Sequence, residues 1–227
     1  MEIATIGLVC VGGGRGTRFG GDKLAERVGD RTVLETSLGS LRQVFPDAPM
    51  VVVLPRDRLD GWRPILEPRF PGVRLVAGGH RRQDSVRRGV EEIATTGARW
   101  VVIHDAARPL VHPADVMSAV NGLGDAAAAI LCRPVTDTIK RVDANGAVIQ
   151  TLDRRQLRMA QTPQVIRVEA LQRAWATTPD DLEWTDEGAL LEAAGETVRT
   201  VVAQHPNPKI TTVEDLQTVR ALQRVAS

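Results

Sequence analysis

Gly12-Gly13-Gly14-Arg15-Gly16-Thr17-Arg18-Phe19-Gly20-Gly21-Asp22-Lys23 follows an apolar run from Ile3 to Val11 and precedes a helix-like stretch from Thr32 to Phe45. Strand, glycine loop and helix form the front half of a βαβ unit. Glycines allow positive φ and let a ligand come close to backbone N–H groups. Successive N–H groups in such a turn make a concave anion site, and Arg15, Arg18 and Lys23 add positive charge beside it. The combination suggests a cradle for a triphosphate. It matches neither the Gly-x-Gly-x-x-Gly spacing nor a Walker loop, since no Gly-Lys-Ser/Thr end is present. A turn with solvated charges has the same composition, and the loop alone does not separate the two.

Outward from this loop, strand-like runs recur at Ile3–Val11, Met50–Leu54, Val73–Ala77, Trp100–His104 and Ala126–Cys132. Between them lie stretches of helical period. Leu34, Ser37, Leu38, Leu41 and Phe45 make the first face; Leu59, Trp62, Ile65 and Leu66, interrupted by Pro64, make the second. Val86, Gly89, Val90 and Ile93 make the third, and Val116, Ala119, Val120 and Leu123 the fourth. The alternation predicts a Rossmann-like three-layer α/β/α fold with a mostly parallel sheet. Right-handed crossovers then put the loop after each strand at one edge, where open α/β sheets bind ligands.

From Thr136 the pattern changes. Thr138–Val142 and Val148–Leu152 flank Asp143-Ala144-Asn145-Gly146, a turn signal that predicts a protruding β-hairpin arm at about 136–153. Such an arm needs a surface to lie on, either a partner subunit or its own domain. Helices around Val168–Ala176 and Asp186–Ala194, a strand at Thr197–Val202 and a capped helix at Val213–Val225 complete the chain.

The 227 residues read as a single domain, 1–227, large enough for a core without staples. A net charge of +1 confines any anion site to a local cluster, and aromatic content of 3% argues against a nucleic-acid stacking platform. No apolar run approaches the roughly 20 residues of a membrane helix. Cys10 and Cys132 lie in strand-like runs and read as buried reduced thiols of a cytoplasmic protein without a signal peptide.

Asp105 ends the fourth run in His104-Asp105-Ala106-Ala107-Arg108-Pro109. A carboxylate at a central strand's end faces the same crevice as the glycine loop, where one hard oxygen ligand suits Mg²⁺. Asp105 could equally cap the next turn or pair with Arg108. His104 reads as a packed histidine. Gly78-Gly79-His80-Arg81-Arg82-Gln83-Asp84-Ser85-Val86 repeats the strand-loop-helix logic. It could read a base edge, but capping of the helix by Asp84 or Ser85 is the simpler account.

Taken in order, these stretches resemble the 2-C-methyl-D-erythritol 4-phosphate cytidylyltransferases from Ile6 to about Leu222. The resemblance is carried by Gly14 to Lys23, Gly78 to Val86, His104 to Pro109, Asp137 to Lys140, Asp153-Arg154, Thr162 to Gln164, Thr185 to Glu187, and Lys209. It implies a nucleotidyltransferase domain that joins CTP to methylerythritol phosphate with Mg²⁺ and releases pyrophosphate. Arg18 and Lys23 would stabilise the transition state on the CTP phosphates, while Arg154 and Lys209 would position methylerythritol phosphate. Asp105 would ligate the metal, with Arg108, Thr138, Thr162 and Thr185 around the second substrate. Gly12, Gly13, Gly79 and Ser85 would read cytosine, and Gly14, Gly16, Arg82 and Ala106 would complete the nucleotide site. The arm would cross to a second subunit and lend it Thr138 and Arg154, making a homodimer.

The first loop departs from the family pattern at Gly12-Gly13 and in the short run between Arg18 and Lys23, and His80 replaces an acid common in the family. A pentitol-phosphate cytidylyltransferase or another sugar-phosphate nucleotidyltransferase shares the same phosphate machinery. An inactive nucleotide-binding regulatory domain is the reading from another class.

Overall fold

In the computed structural model, residues 5–14 and 19–226 are described. The strands are β1 (Ile6–Val11), β2 (Arg27–Val28), β3 (Arg31–Thr32), β4 (Met50–Leu54), β5 (Arg74–Ala77), β6 (Trp100–Asp105), β7 (Ala128–Pro134), β8 (Lys140–Val142), β9 (Val148–Thr151), β10 (Arg158–Arg167) and β11 (Val198–Val202). The helices are α1 (Val33–Val44), α2 (Leu59–Leu66), α3 (Arg82–Ala94), α4 (Pro113–Asn121), α5 (Val168–Thr177), α6 (Glu187–Ala193) and α7 (Val213–Ala226).

Seven strands form one sheet in the order β11-β7-β10-β6-β1-β4-β5. β1 pairs in parallel with β4 and β6, β4 with β5, and β11 with β7. Only β10 runs antiparallel, between β6 and β7. Side chains alternate across the sheet. Ile6, Leu8 and Cys10 of β1 belong to a core with α1, α4 and α7, while Val9 and Val11 belong to a second core with α3, α5 and α6. This is the three-layer Rossmann-like arrangement that the periodicity predicts.

The helix faces follow the period, with one exception. On α1, Leu34, Ser37, Leu38 and Leu41 are buried, as is Phe45 at its end. A capping box closes the start of α1, with Thr32 N–H donating to Glu35 Oε2 at 2.8 Å and Glu35 N–H to Thr32 Oγ1 at 3.2 Å. Gly89 of α3 lies so close to the sheet that a Cβ there would come within 2.6 Å of Val9 Cγ1. The exception is α2, where Trp62 and Leu66 are buried but Ile65 is exposed. At eight residues, α2 presents only a narrow inward stripe.

β10 is the element the sequence pattern did not reveal. Between the hairpin and the next helix, Gln161-Thr162-Pro163-Gln164 is a polar stretch with the composition of a connection. Instead that stretch lies inside the ten-residue strand β10 in the middle of the sheet. The pairing with β7 is irregular between Ala160 and Gln164, so Pro163 sits where no ladder N–H is required. The short ladder of β2 and β3 was also unmarked by pattern.

The hairpin forms at Asn145-Gly146, with Gly146 at φ 84° and Asp143 Oδ1 accepting from the Asn145 and Ala147 N–H groups at 2.9 Å. Its strands are shorter than expected, starting at Lys140 and not Thr138. Every residue from Lys140 to Thr151 is exposed.

Candidate active site

The parallel strands β1, β4, β5 and β6 end at one edge, and their following loops are stitched to it by backbone hydrogen bonds. Gly12 N–H donates to Val53 O, Gly78 N–H to Leu54 O, and Ala106 N–H to Val11 O, at 2.8 to 3.0 Å. Ser37 of α1 donates its hydroxyl to Ala106 O at 2.7 Å and holds the turn after β6 from below. Above these loops lies a cavity of about 280 Å³. Its wall includes Gly12, Gly13, Gly14, Lys23, Arg82, Ser85, Asp105 and Lys209. The loops of a switch in strand order thus converge as an open α/β sheet requires.

Asp105 is the centre of the charge arrangement. Its Oδ2 lies 2.8 Å from Lys209 Nζ and 3.5 Å from Arg108 Nε, and its Oδ1 lies 3.4 Å from Arg82 Nε. Glu187 pairs with the same Arg82, accepting from Nη1 at 2.8 and 3.0 Å. Asp105 and Glu187 are both buried. Three cations therefore face two carboxylates, leaving one positive charge in excess where a phosphate would come. Burial alone would raise the Asp105 carboxyl, but Arg82, Lys209 and Arg108 hold it well below the usual carboxylate range. Burial works against the Arg82 guanidinium too, and Glu187 with Asp105 more than reverses it, so Arg82 stays charged. Burial pushes the Glu187 carboxyl up, against the pull of Arg82 beside it.

The carboxylate is aimed by its neighbours. Asp105 N–H donates to Thr162 Oγ1 at 3.0 Å. His104 Nε2 lies 3.0 Å from Arg108 O, a carbonyl that can only accept, so Nε2 carries the proton. His104 Nδ1 then accepts from the Thr162 hydroxyl at 3.1 Å. Burial lowers the His104 imidazole to about 4, partly offset by the Arg108 carbonyl and Asp105. It is the packed strand-end histidine expected.

The loop bearing Lys209 is tied down in the same way. Arg108 Nη1 donates to Asn207 O at 2.8 Å, Asn207 Nδ2 to Thr162 O at 2.8 Å, and Ile210 N–H to Ala107 O at 2.8 Å. Lys23 Nζ donates to Ile210 O at 2.7 Å, which joins the first loop to this one.

The cavity thus brings together Gly12, Gly13, Gly14, Lys23, Arg82, Ser85, Asp105 and Lys209 from five separate stretches of the sequence. Ser85 is nearly inaccessible. It accepts from Gly79 N–H at 3.0 Å and donates to Arg81 O at 3.2 Å, so it holds the loop turned. Asp84 accepts from Arg81 N–H at 2.9 Å, the capping role that was the simpler expectation. Ala106 is buried beneath Gly12. Thr162 is a buried peg under Asp105, Arg108 is buried beside it, and Thr185 is exposed outside the cavity wall. Thr138 and Arg154 are exposed on and beside the arm, where Arg154 Nη1 donates to Thr136 O. Among the described residues no hydrogen bond or ion pair joins either to the cavity. Gly16 and Arg18 lie outside the described residues.

Two contributors escaped the sequence reading. Glu187 sits in the quoted Thr185-Asp186-Glu187, but nothing there shows that it buries against Arg82. Asn207, between Pro206 and Pro208, is a buried bridge that only the folded loop reveals.

One carboxylate on a polar cavity fits a Mg²⁺ ion held mainly by substrate phosphates, with Asp105 as its protein ligand. Lys209 already places a cation on Asp105 Oδ2, and its half-exposed side chain is able to give way. No group of three or more His, Cys, Asp or Glu able to hold a metal by themselves occurs among the described residues.

The chain is similar to known proteins of one family. The sequence model for 2-C-methyl-D-erythritol 4-phosphate cytidylyltransferase matches residues 6–224. The bifunctional enzyme IspD/IspF of Rhodospirillum rubrum is 38% identical over 226 residues, covering 98% of this chain and 58% of that protein. The chain thus spans little more than half the length of the bifunctional relatives it matches. The 2-C-methyl-D-erythritol 4-phosphate cytidylyltransferase of Rhodococcus jostii is 39% identical, with 92% of this chain and 91% of that protein covered. Among solved structures, 4-diphosphocytidyl-2C-methyl-D-erythritol synthase from Anaerococcus prevotii superposes with a TM-score of 0.85 at 26% identity, covering 98% of this chain and 100% of the other. The 2-C-methyl-D-erythritol 4-phosphate cytidylyltransferase of Thermus thermophilus gives 0.75 at 30% identity, covering 96% and 98%. With the family model matching almost end to end and a cytidylyltransferase relative 39% identical across nine-tenths of both chains, the chain belongs to the 2-C-methyl-D-erythritol 4-phosphate cytidylyltransferase family.

Proposed function

We propose that the chain joins CTP to 2-C-methyl-D-erythritol 4-phosphate, giving 4-diphosphocytidyl-2-C-methyl-D-erythritol and pyrophosphate in non-mevalonate isoprenoid synthesis. The observation that carries the reading is the pair of lysines on opposite loops of one cavity, Lys23 beside the glycines and Lys209 on Asp105. An oxygen of the second substrate's phosphate attacks the α-phosphorus of CTP, and pyrophosphate departs. Both reactants are anions, so the protein's task is to hold them together and neutralise developing charge.

Lys23 serves the triphosphate side, with Arg18 beside it in sequence. Lys209 and Arg108 serve the incoming phosphate, oriented by Asp105 and the Asn207 bridge. No general base is needed, because a phosphate monoester is ionised near neutral pH, with a second pKa of about 6. Asp105 would hold a Mg²⁺ ion, which would supply further charge neutralisation at the phosphates. A Cβ on Gly12, Gly13 or Gly79 would come within 2.7 Å of Leu24, 2.7 Å of Ser85 or 2.2 Å of Asp84, so packing within the chain requires glycine at each, and in this reading their backbone lies against the nucleotide.

In this reading the arm lies on a second copy of the chain and lends it Thr138 and Arg154. Support comes from the exposed Val142, Val148, Ile149 and Met159 on and beside it. The buried free thiols Cys10 and Cys132 support a reducing, cytoplasmic setting. No helix among the described residues is long and apolar enough to cross a membrane.

Pyrophosphate release measured with each nucleoside triphosphate, against methylerythritol phosphate and ribitol phosphate in turn, tests the reading. Release with CTP and methylerythritol phosphate alone is expected. Preference for ribitol phosphate, or for another nucleotide, overturns it.

A further inference from the structure

We infer that Arg58, from the turn after β4, is a triphosphate-binding residue of this chain, with Asp22 holding its place when no nucleotide is bound. The inference rests on the nucleotide reading of the cavity given above. It starts from the short run between Arg18 and Lys23, where Gly20-Gly21-Asp22 brings a carboxylate next to Lys23. A carboxylate there repels a polyphosphate unless it is neutralised.

Arg58 neutralises it. β4 runs parallel to β1, so its loop opens at the same sheet edge, and Pro55 starts a 3-10 turn over Arg56–Arg58. Arg58 Nη1 reaches Asp22 Oδ1 at 2.8 Å, and both residues line the cavity with Lys23. Each side chain is 28% exposed, accessible from the cavity yet largely enclosed.

Among the described residues, the other arginines of the wall are committed. Arg81 places Nε and Nη2 on Asp84 and Nη1 on the Asp180 carbonyl. Arg82 is held by Glu187 and Asp105. Arg58 pairs with Asp22 through one terminal nitrogen, and its Nε and Nη2 have no partner among the described residues. A guanidinium has a planar fork that suits phosphate oxygens in pairs. Asp22 does not depend on Arg58 to keep its position, because the same Oδ1 also accepts from Leu24 N–H at 3.1 Å. Exchange of Asp22 for β- or γ-phosphate oxygens therefore leaves the loop anchored.

Calorimetric titration of the full chain with CTP and with CMP, without second substrate, tests the assignment. Arg58→Ala is expected to weaken CTP about tenfold, the scale of one charge-assisted hydrogen bond, and to leave CMP within about twofold. Asp22→Asn keeps the acceptor for Leu24 and removes the charge, so it is expected to tighten CTP by about twofold or more. Arg58→Lys, with charge but no fork, should fall between wild type and Arg58→Ala, and guards against a misfolded alanine variant.

If Arg58 and Asp22 merely staple two loops, both variants weaken CTP and CMP alike, and the assignment fails. Unchanged CTP affinity in Arg58→Ala also overturns it. Wild-type protein that binds neither nucleotide overturns the nucleotide reading of the cavity and this inference with it.

Discussion

The cavity and the arm are opposites in construction. In the cavity, the buried carboxylates are each answered by a named partner: Asp105 by Lys209, Arg82 and Arg108, and Glu187 by Arg82. On the arm, apolar groups are exposed, with Val148 and Ile149 each more than half accessible. Buried charges require a rigid frame, since an unmatched one is costly. Exposed apolar side chains require only a second surface. The difference teaches that one chain answers its buried charges by itself, while its arm leaves apolar side chains exposed, which a second copy covers in the function proposed.

The strongest way to break the comparison is to remove a partner from the network. Glu187→Ala leaves the Arg82 guanidinium buried beside one carboxylate in place of two. It is expected to cost about 3–5 kcal/mol of stability in urea unfolding, with Glu187→Gln milder. A loss below about 1 kcal/mol would show that the network does not act as a unit.

Lys23→Ala separates chemistry from framework. Turnover should fall roughly 10²–10³-fold, about 3–4 kcal/mol in the barrier, as for loss of a preorganised donor. The melting temperature should change little, because the hydrogen bond to Ile210 O is at a part-buried loop position and is worth about 1 kcal/mol. Near-normal turnover removes Lys23 from the mechanism.

Acid should dismantle the cavity before it affects the arm. His104 is neutral when folded, with its pKa lowered to about 4 from 6.5. The unfolded chain therefore takes up a proton that the folded chain refuses. Stability is full above about pH 6.5 and declines as pH falls toward 4, by about 3 kcal/mol at most from this group. Asp105, also depressed, adds its loss below the ordinary carboxylate range. Unfolding free energies across pH 4 to 7 check this, and His104→Gln should flatten the upper part of the decline.

The smallest effect on the fold is expected at the arm. Ile149→Asp should change single-chain stability by no more than about 0.5 kcal/mol, because the side chain is exposed. It should nonetheless shift the protein to monomer in sedimentation. A large loss of stability in a monomeric background would mean that the arm folds onto its own domain.

Particular elements show why part of this was legible in the sequence. β1, β4 and β6 are near-continuous apolar runs because helices cover both faces of the sheet, and that burial writes itself directly into composition. The hairpin turn was legible because Asn145-Gly146 meets a local backbone demand at Gly146. Lys23, Asp105 and Lys209 were found through motif order, and the fold places all three on one cavity. β10 was not legible. Its polar residues Thr162 and Gln164 are buried where local pattern predicts exposure, because their partners come from distant segments: Asp105 and His104 for Thr162, and Asp186 for Gln164.

The sequence by itself determined the alternation of strand and helix, the turn of the arm and the residue types able to handle phosphates. These depend on periodicity and local backbone chemistry. Tertiary structure alone decided which charges meet. Glu187 became the partner of Arg82, 105 residues away, and Asn207 the bridge between Arg108 and Thr162. Ser85 became a loop support, and Arg58 came to face Asp22 across the cavity mouth. The reason is physical: a buried charge is stabilised by whatever packing brings within hydrogen-bond reach, and spacing along the chain carries no record of that distance.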